Sequence, residues 1–370
     1  MSEIRQAMNI NTLKQYAVAR TFFTPTSLES AVTQLGFVQI DPICAPACAQ
    51  DLMLRHRVAD YAKGGLDCAY PSSALEEVYF INHGVMPRAQ ALSLWSRKPL
   101  TDFLHNHADA IQMVQDLLNT TPELDSRSLN QKLGNQLVTN GWGAQGQAGT
   151  QLLQRMHSAG LLRIARREKG QRVYGLPTAQ VDVDLDVMVA QAFLTFATTY
   201  APFSHASLTY MARLLGVARP DAKPQIKVAL AHACDYFGHA LIDGVRWYWP
   251  KSEQPAAFEG ADVPETVRVL TPFDPLVWDR DRFALFWGWT YKFEAYKPAH
   301  ARQFGYYAQP LLWGNECIGW TNINVLDGVM QVGLGYVHGA PQSLAYQKAL
   351  ADELARMALF LQCSKWALLN

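Results

Sequence analysis

Apolar residues recur at helical spacing through residues 109–176, and the segment closes on an alternating pattern. "ADAIQMVQDLLN", "SRSLNQKLGNQL" and "QAGTQLLQRMHSAG" each favour a helix, and Leu152, Leu153 and Met156 share one helical face. We expect Ser126 or Ser128 as an N-cap, and Gly160 as a helix stop. "LLRIARREKGQRVYGLP" then predicts strand, turn and strand. Three helices followed by a hairpin is the order of a winged helix, with the hairpin as its wing.

The same order recurs over residues 187–249. Three helical patterns lead into "HALIDGVRWYWP", a hairpin turning at Asp243-Gly244, and this dipeptide is a strong tight-turn signal. A less regular version covers residues 9–88, where two helical patterns precede the strand "FVQID" and a helix is expected from about Pro46. The pattern therefore predicts two winged-helix-like units and a weaker third.

The last third of the chain differs. It predicts three strands broken by "GNE" and "LDG" turns, then a closing helix from about Pro341, as in a small sheet or barrel with a covering helix. The expected fold class is mainly α with β (α+β), with tandem winged-helix units before a C-terminal β-barrel-like domain. The expected domains are 1–105, 106–180, 181–255 and 256–370.

Composition bounds the class of protein. The chain has 370 residues, of which 49% are hydrophobic and 17% charged, as in a compact protein with a large core. It contains no uncharged apolar run long enough to cross a membrane, and its N-terminus lacks a signal-peptide core, so the cytoplasm is the expected compartment. With 32 basic and 32 acidic residues, net charge gives no global support for nucleic-acid binding, and a basic surface must be sought locally.

The first hairpin is locally basic. Five cations stand against Glu168 within ten residues. They are Arg163, Arg166, Arg167, Lys169 and Arg172. One interpretation is a solvated hairpin tip whose charges prevent aggregation. The favoured interpretation is phosphate binding, since the charge sits where a wing meets DNA.

The six cysteines form no CxxC pair and no zinc-ligand spacing. Cys44 and Cys48 are expected to be small buried hydrophobic residues in a reducing compartment.

"GFVQIDP", residues 36–42, interrupts apolar residues with Gln39 and Asp41. Residues i and i+2 of a strand point to one face, so an amide and a carboxylate would lie side by side. A structural interpretation is that they cap the helix expected near Pro46. From the residues alone, this capping role and a functional role for the pair both stay open.

"VQIDP", "LMLRHRVADY" and the long block from "LTPFDPLVWDRDRF" to "RQFGYYAQPLLWGNECIGW" resemble the bacterial AlkZ/YcaQ (AlkX) DNA glycosylases over nearly the whole chain. The resemblance implies three winged-helix units and a C-terminal β-barrel in a C-shaped cradle for duplex DNA. It also implies a catalytic Gln-x-Gln or Gln-x-Asp pair, here Gln39 and Asp41. The Gln-x-Asp form is similar to the YcaQ branch, which handles many N-alkylated purines and interstrand crosslinks.

The chemistry fits these residues. Asp41 would stabilise an oxocarbenium-like sugar and activate water, while Gln39 would position a water or a sugar oxygen. An N7-alkylguanine is already cationic and leaves neutral, so no dedicated general acid is needed. No lysine nucleophile is evident, so we expect a monofunctional, cofactor-free glycosylase that acts as a monomer on damaged double-stranded DNA.

Secondary candidates are weaker. Arg55, His56 and Arg57 are expected to contact phosphates near the pair. The aspartates of "FDPLVWDRDRF" could hold a metal, although an internal salt-bridge network is the favoured interpretation. The rival function is a non-catalytic tandem winged-helix regulator, which would bind damaged and undamaged DNA alike.

Overall fold

The computed structural model describes most of the chain in seven stretches. They are residues 8–70, 73–94, 105–139, 145–168, 170–178, 183–259 and 264–369. None of the helices in these stretches combines the length and apolar composition that a bilayer crossing requires.

Helices are numbered here in chain order. They are α1 Ile10–Thr21, α2 Leu28–Leu35, α3 Ala49–Leu54, α4 Gly65–Ala69, α5 Arg88–Leu94, α6 Ala108–Thr120, α7 Ser126–Lys132, α8 Ala148–Ser158, α9 Leu185–Tyr200, α10 His205–Ala218, α11 Lys223–Ala231, α12 Ala233–Tyr236, α13 Pro275–Trp278, α14 Arg280–Trp287 and α15 Leu344–Phe360.

Strands are numbered in the same way. They are β1 Val38–Gln39, β2 Leu75–Tyr79, β3 His83–Pro87, β4 Leu124–Asp125, β5 Leu137–Thr139, β6 Gln145–Gln147, β7 Arg163–Glu168, β8 Gln171–Gly175, β9 Phe203–Ser204, β10 Phe237–Ile242, β11 Val245–Pro250, β12 Val267–Val269, β13 Gln309–Trp313, β14 Glu316–Leu326, β15 Val329–Tyr336 and β16 Lys365–Leu368.

The helices and strands pack into two compact units, each of which is built from non-contiguous segments of the chain. The first unit comprises Met1–Lys63, Phe193–Ala212 and Leu230–Asn370, and the second comprises Gly64–Ala192 and Arg213–Ala229. The four domains expected from the sequence are smaller than these two units, and that division stays a prediction.

The second unit contains the first helix–helix–helix–hairpin series. Helices α6, α7 and α8 precede the antiparallel hairpin β7–β8, and β4 extends it to a sheet of order β4-β8-β7. The N-cap of α7 is Asp125, which accepts hydrogen bonds from Arg127 N and Ser128 N, so neither serine caps the helix. Gly160 follows α8 with φ +75°, a left-handed conformation that suits a helix stop. The predicted hairpin is therefore confirmed and the predicted cap is corrected.

The second series is also present. Helices α9, α10 and α11 precede the hairpin β10–β11, which turns at Asp243 and Gly244 with φ values of +49° and +76°. Both positive φ values match the predicted tight turn. Strand β9 extends this sheet to the order β10-β11-β9. The helical order agrees with the sequence pattern, and the number of winged-helix units stays a prediction.

The C-terminal sheet has more strands than expected. Its order is β12-β13-β14-β15-β16, antiparallel except for the parallel pair β15–β16. The sequence pattern missed the edge strands β12 and β16, which are short. Among the described residues these two strands do not pair with each other, so the sheet is a half-barrel and not a closed barrel.

One apolar cluster joins this sheet to the start of the chain. Helix α15 lays Tyr346, Leu354 and Met357 against the sheet. Ala47 and Leu52, from the loop before α3 and from α3 itself, belong to the same cluster. The segment that follows Asp41 is therefore anchored on the C-terminal sheet, and this packing fixes the position of the candidate site.

Candidate active site

The Gln-x-Asp pair lies at the end of a very short strand. Strand β1 ends at Gln39, so Asp41 lies beyond it in a turn and does not continue the strand. Gln39 is 8% exposed and Asp41 is 9% exposed. Both side chains are largely withdrawn from water, yet neither is sealed from it. The strand expected from "FVQID" is thus confirmed for two residues only, and the shared-face argument does not extend to Asp41.

A glycine sets the entry into the site. Gly36 ends α2 with φ +74°, a region that L side chains rarely adopt. A Cβ placed on Gly36 would lie 2.8 Å from Thr198 Cγ2, at the end of α9. The turn therefore needs glycine both for its backbone conformation and for the close approach of α9.

Asp41 organises its own turn and does not cap a helix. Its Oδ1 accepts a hydrogen bond from Ile43 N at 2.8 Å. Helix α3 begins at Ala49, not near Pro46, and its N-cap Cys48 makes no side-chain capping bond. The capping interpretation of the pair is therefore wrong for Asp41, since the helix it would cap begins eight residues away.

The electrostatic state of Asp41 is unusual for a carboxylate. Burial raises its pKa, and the hydrogen bond from Ile43 N opposes the rise only in part. Among the residues that the structure describes, no lysine, arginine or histidine forms an ion pair with Asp41. When ionised, this carboxylate is thus poorly hydrated and has no ion-pair partner among the described residues, which is the state in which it attracts a developing cation most strongly.

The hydroxyl group of Tyr307, which the sequence did not single out, lies within electrostatic reach of the carboxylate. The Asp41 charge contributes to the raised pKa of Tyr307, whose main cause is burial. The Tyr307 hydroxyl lies 3.4 Å from Thr271 Oγ1. Tyr307 belongs to the cluster that holds Ala47, with Ile43 and Ala45 packed against it. Sequence reasoning could not find Tyr307 because 266 residues separate it from Asp41 along the chain.

The two cysteines after Asp41 are not buried hydrophobic residues. Cys44 is exposed and Cys48 is half-buried, and their sulfurs form a disulfide. The expectation of two buried thiols is therefore wrong. A side chain on an irregular loop stays near the surface, where the two thiols can reach each other across four residues.

Arg55, His56 and Arg57 all have partners within the protein. Arg57 is 0% exposed, and its guanidinium binds Asp274 at 2.9 Å. Arg55 pairs with Glu353 of α15, and His56 Nε2 lies 3.0 Å from the Val269 carbonyl oxygen. Burial lowers the pKa of His56 well below its ordinary value, so the ring is neutral. Phosphate binding by these side chains stays a prediction, and it requires that phosphates displace these partners.

The basic hairpin is neutralised within the second unit. Arg163 pairs with Glu76 at 3.4 Å, while Arg167 and Arg172 reach Glu77 at 2.7 and 2.8 Å. Arg166 pairs with two further acids, Glu123 at 2.8 Å and Glu168 at 3.0 Å, at the surface. Lys169 lies outside the described residues. Phosphate binding by this hairpin stays a prediction, and it requires that phosphates compete with these carboxylates.

Glu77 is the centre of that cluster. It is 0% exposed and also bonds His83. Burial raises its pKa, but the hydrogen bonds from His83 and Arg167 outweigh burial and hold the pKa well below its ordinary range. Of the four described arginines, Arg166 has the most exposed side chain, at 36%. The adjacent acids of "LEEVYF" were the signal in the sequence that this hairpin has partners inside the protein.

The aspartates of "FDPLVWDRDRF" act within the protein. Asp274 caps α13 by accepting a bond from Leu276 N at 3.1 Å and pairs with Arg57. Asp279 caps α14 by accepting a bond from Arg282 N at 3.1 Å. The expected internal ion pairing is therefore confirmed for Asp274, while Asp279 acts as a helix cap.

Comparisons with known proteins agree with this architecture. A family model described as "DNA glycosylase AlkZ-like" matches residues 32–360. The structure is similar to that of the DNA glycosylase AlkZ of Streptomyces sahachiroi, with a TM-score of 0.65 and 13% sequence identity, over 98% of this chain and 100% of that chain. At this identity the structural match concerns the fold, and the family model carries the assignment.

Proposed function

Because the chain belongs to the AlkZ-like family of DNA glycosylases, we propose that it hydrolyses the N-glycosidic bond of N-alkylated purines in duplex DNA. The lesion class is of the N7-alkylguanine type. The proposal extends to unhooking interstrand crosslinks that join the strands through such purines. The observation that carries it is the carboxylate of Asp41, which is withdrawn from water, is not ion-paired among the described residues and lies two residues from Gln39.

The proposed chemistry follows from charge. Alkylation at N7 makes the purine cationic, so the C1′–N9 bond breaks with the electron pair leaving on a neutral base. Positive charge then develops on the sugar, and the Asp41 carboxylate stabilises it. Water attacks C1′ and passes its proton to Asp41, while the amide of Gln39 holds that water or a sugar oxygen. Undamaged guanine would have to leave as an anion and should be a poor substrate.

The family assignment favours this function over the rival regulator, which would need no acid at position 41. Base release separates the two functions directly. Three duplexes of one sequence are needed, with guanine, N7-methylguanine or an N7-linked crosslink at a single position. We expect the wild type to release free base from the second duplex and to separate the strands of the third, leaving the first intact.

Gln39→Ala tests the positioning role. An unmade hydrogen bond costs about 1–3 kcal/mol, so base release should slow about 5- to 150-fold. Gln112→Ala, at an exposed position of α6, is the matched control and should match the wild type. If the wild type binds all three duplexes equally and releases no base, the glycosylase proposal fails for these lesions.

A further inference from the structure

A second basic and aromatic surface lies in the first unit, far along the chain from the hairpin. Residues 291–306, here called the 291–306 loop, connect α14 to β13. The loop contains three basic residues and His300 against one acid, Glu294, in a chain whose net charge is zero. The basic residues are Lys292, Lys297 and Arg302. This excess of positive charge was not apparent from the whole-chain composition.

Hydrogen bonds to one buried carboxylate hold the 291–306 loop together. Glu294 is 1% exposed, and its Oε2 accepts hydrogen bonds from Gln303 N at 2.7 Å and Phe304 N at 2.8 Å. Its Oε1 accepts a bond from Lys297 Nζ at 2.8 Å. One buried carboxylate therefore closes the loop on itself and neutralises Lys297, and among the described residues Lys292 and Arg302 form no ion pair with an acid.

Two tyrosine rings of the loop are exposed to solvent. Tyr296 is 79% exposed, and its ring meets the edge of Phe293 at 6.0 Å between centroids. The guanidinium of Arg302 lies 5.0 Å above the ring of Tyr306, which is 45% exposed. Both rings are therefore accessible for stacking on a ligand.

Packed side chains connect the 291–306 loop to the candidate catalytic pair. Phe293, which contacts Tyr296, also meets Tyr307 at 5.4 Å. Tyr307 packs in the cluster against which Ile43 lies, and Ile43 N bonds the Asp41 carboxylate. A short series of contacts thus leads from Asp41 to the exposed ring of Tyr296, all of it within the first unit.

We propose that the 291–306 loop contacts duplex DNA next to the lesion, with Tyr296 stacking on a neighbouring nucleobase and Arg302 binding a backbone phosphate. The inference rests on the proposed function, because it takes Asp41 as the reacting centre. Aromatic rings stack on every base without reading its sequence, and cations at the same surface hold the backbone. A repair enzyme that meets its lesion in any sequence needs this kind of contact.

Stacking by Tyr296 is tested with a duplex that carries 2-aminopurine beside an uncleavable abasic-site analogue. The fluorescence of 2-aminopurine reports stacking on its face, and anisotropy of an end label reports binding. We expect Tyr296→Ala to lose the fluorescence change and to raise Kd about tenfold. Tyr296→Phe should behave as the wild type, because it keeps the ring. Leu359→Ala, at an 80% exposed position of α15, is the control.

Phosphate contact is tested by salt dependence. Each lost phosphate contact should reduce the slope of log K against log salt by about 0.9 on duplex DNA. Arg302→Ala should show this reduction, and Lys348→Ala, whose side chain is 80% exposed on α15, should not. Thermal unfolding of each variant establishes that a lost contact is not a lost fold.

The outcomes separate this inference from the function on which it rests. If the wild type releases base while the Tyr296 and Arg302 variants bind and stack like the wild type, the loop is not a DNA contact and the glycosylase proposal stands. If the wild type releases no base but these variants lose stacking and salt slope, the loop binds DNA and the lesion class is wrong. A loss caused equally by Leu359→Ala or Lys348→Ala would overturn the inference, because the effect would not be local.

Discussion

Replacing Asp41 by Asn isolates the charge of the candidate catalytic carboxylate. Asn keeps an oxygen acceptor for Ile43 N, whose bond to Asp41 Oδ1 is 2.8 Å long, so the turn should survive. Because Asp41 is only 9% exposed, the effective dielectric constant around its carboxylate lies between that of water and that of the protein interior. What the substitution removes is the attraction between a carboxylate and a cationic sugar.

The size of that attraction follows from Coulomb's law. A unit charge about 4 Å from the sugar at an effective dielectric near 20 contributes roughly 4 kcal/mol. At about 1.4 kcal/mol for each factor of ten, this corresponds to a rate loss of roughly 10³. Loss of a comparable stabilising group costs about 10²–10³ in other enzymes. We therefore expect Asp41→Asn to slow base release by about 10²–10³.

The assay is single-turnover release of N7-methylguanine from a duplex, with enzyme in excess so that product release does not limit the rate. Asp51→Asn is the matched control, because Asp51 is 5% exposed and accepts a bond from Tyr61 Oη at 2.7 Å. It should retain the wild-type rate. A loss below about threefold in Asp41→Asn, with DNA binding unchanged, would show that the carboxylate does not stabilise the transition state and would refute the reasoning.

Three further predictions follow from the same geometry. Burial raises the pKa of Asp41 above its ordinary value of 3.8. The rate of base release should therefore fall about tenfold for each pH unit below that raised pKa, and the pH–rate profile of Asp41→Asn should lack this decline. Gly36→Ala should lower the free energy of unfolding by about 1–2 kcal/mol or more, seen in urea denaturation, because the turn has φ +74° and α9 is close; an unchanged midpoint would contradict this. Arg57→Ala should lower the free energy of unfolding by about 3–5 kcal/mol, because the buried Asp274 loses the cation that neutralises it, while the salt dependence of DNA binding should not change; a shallower salt slope would show that Arg57 contacts DNA.

Sequence periodicity was sufficient where local chemistry decides the structure. The helical patterns of α6, α8 and α9, and the tight turn at Asp243-Gly244, were found because side-chain spacing and positive φ preferences act within a few residues. Helix capping was less predictable. Asp125 took the place expected for a serine at α7, since several neighbouring polar side chains can satisfy the same backbone groups.

The candidate pair itself came from the sequence. An amide and a carboxylate interrupting an apolar run stand out from the residues alone, and the family resemblance then gave them roles. The burial of Asp41, its lack of an ion-pair partner among the described residues and its proximity to Tyr307 did not follow from the pattern. These features arise where the chain returns after more than 200 residues, and no local rule encodes such an approach.

The cations show most clearly what only the tertiary structure decided. Arg55, Arg57, Arg167 and Arg172 are as basic in sequence as Arg302, yet the fold pairs the first four with carboxylates, while the guanidinium of Arg302 lies over an exposed tyrosine ring. A cation that is already paired with a carboxylate of the protein binds DNA only if a phosphate displaces that carboxylate. The sequence by itself determined which residues carry charge and which segments form helices and hairpins. The packing of distant segments decided which of those charges face outward, because a Coulomb interaction depends on separation in space and not along the chain.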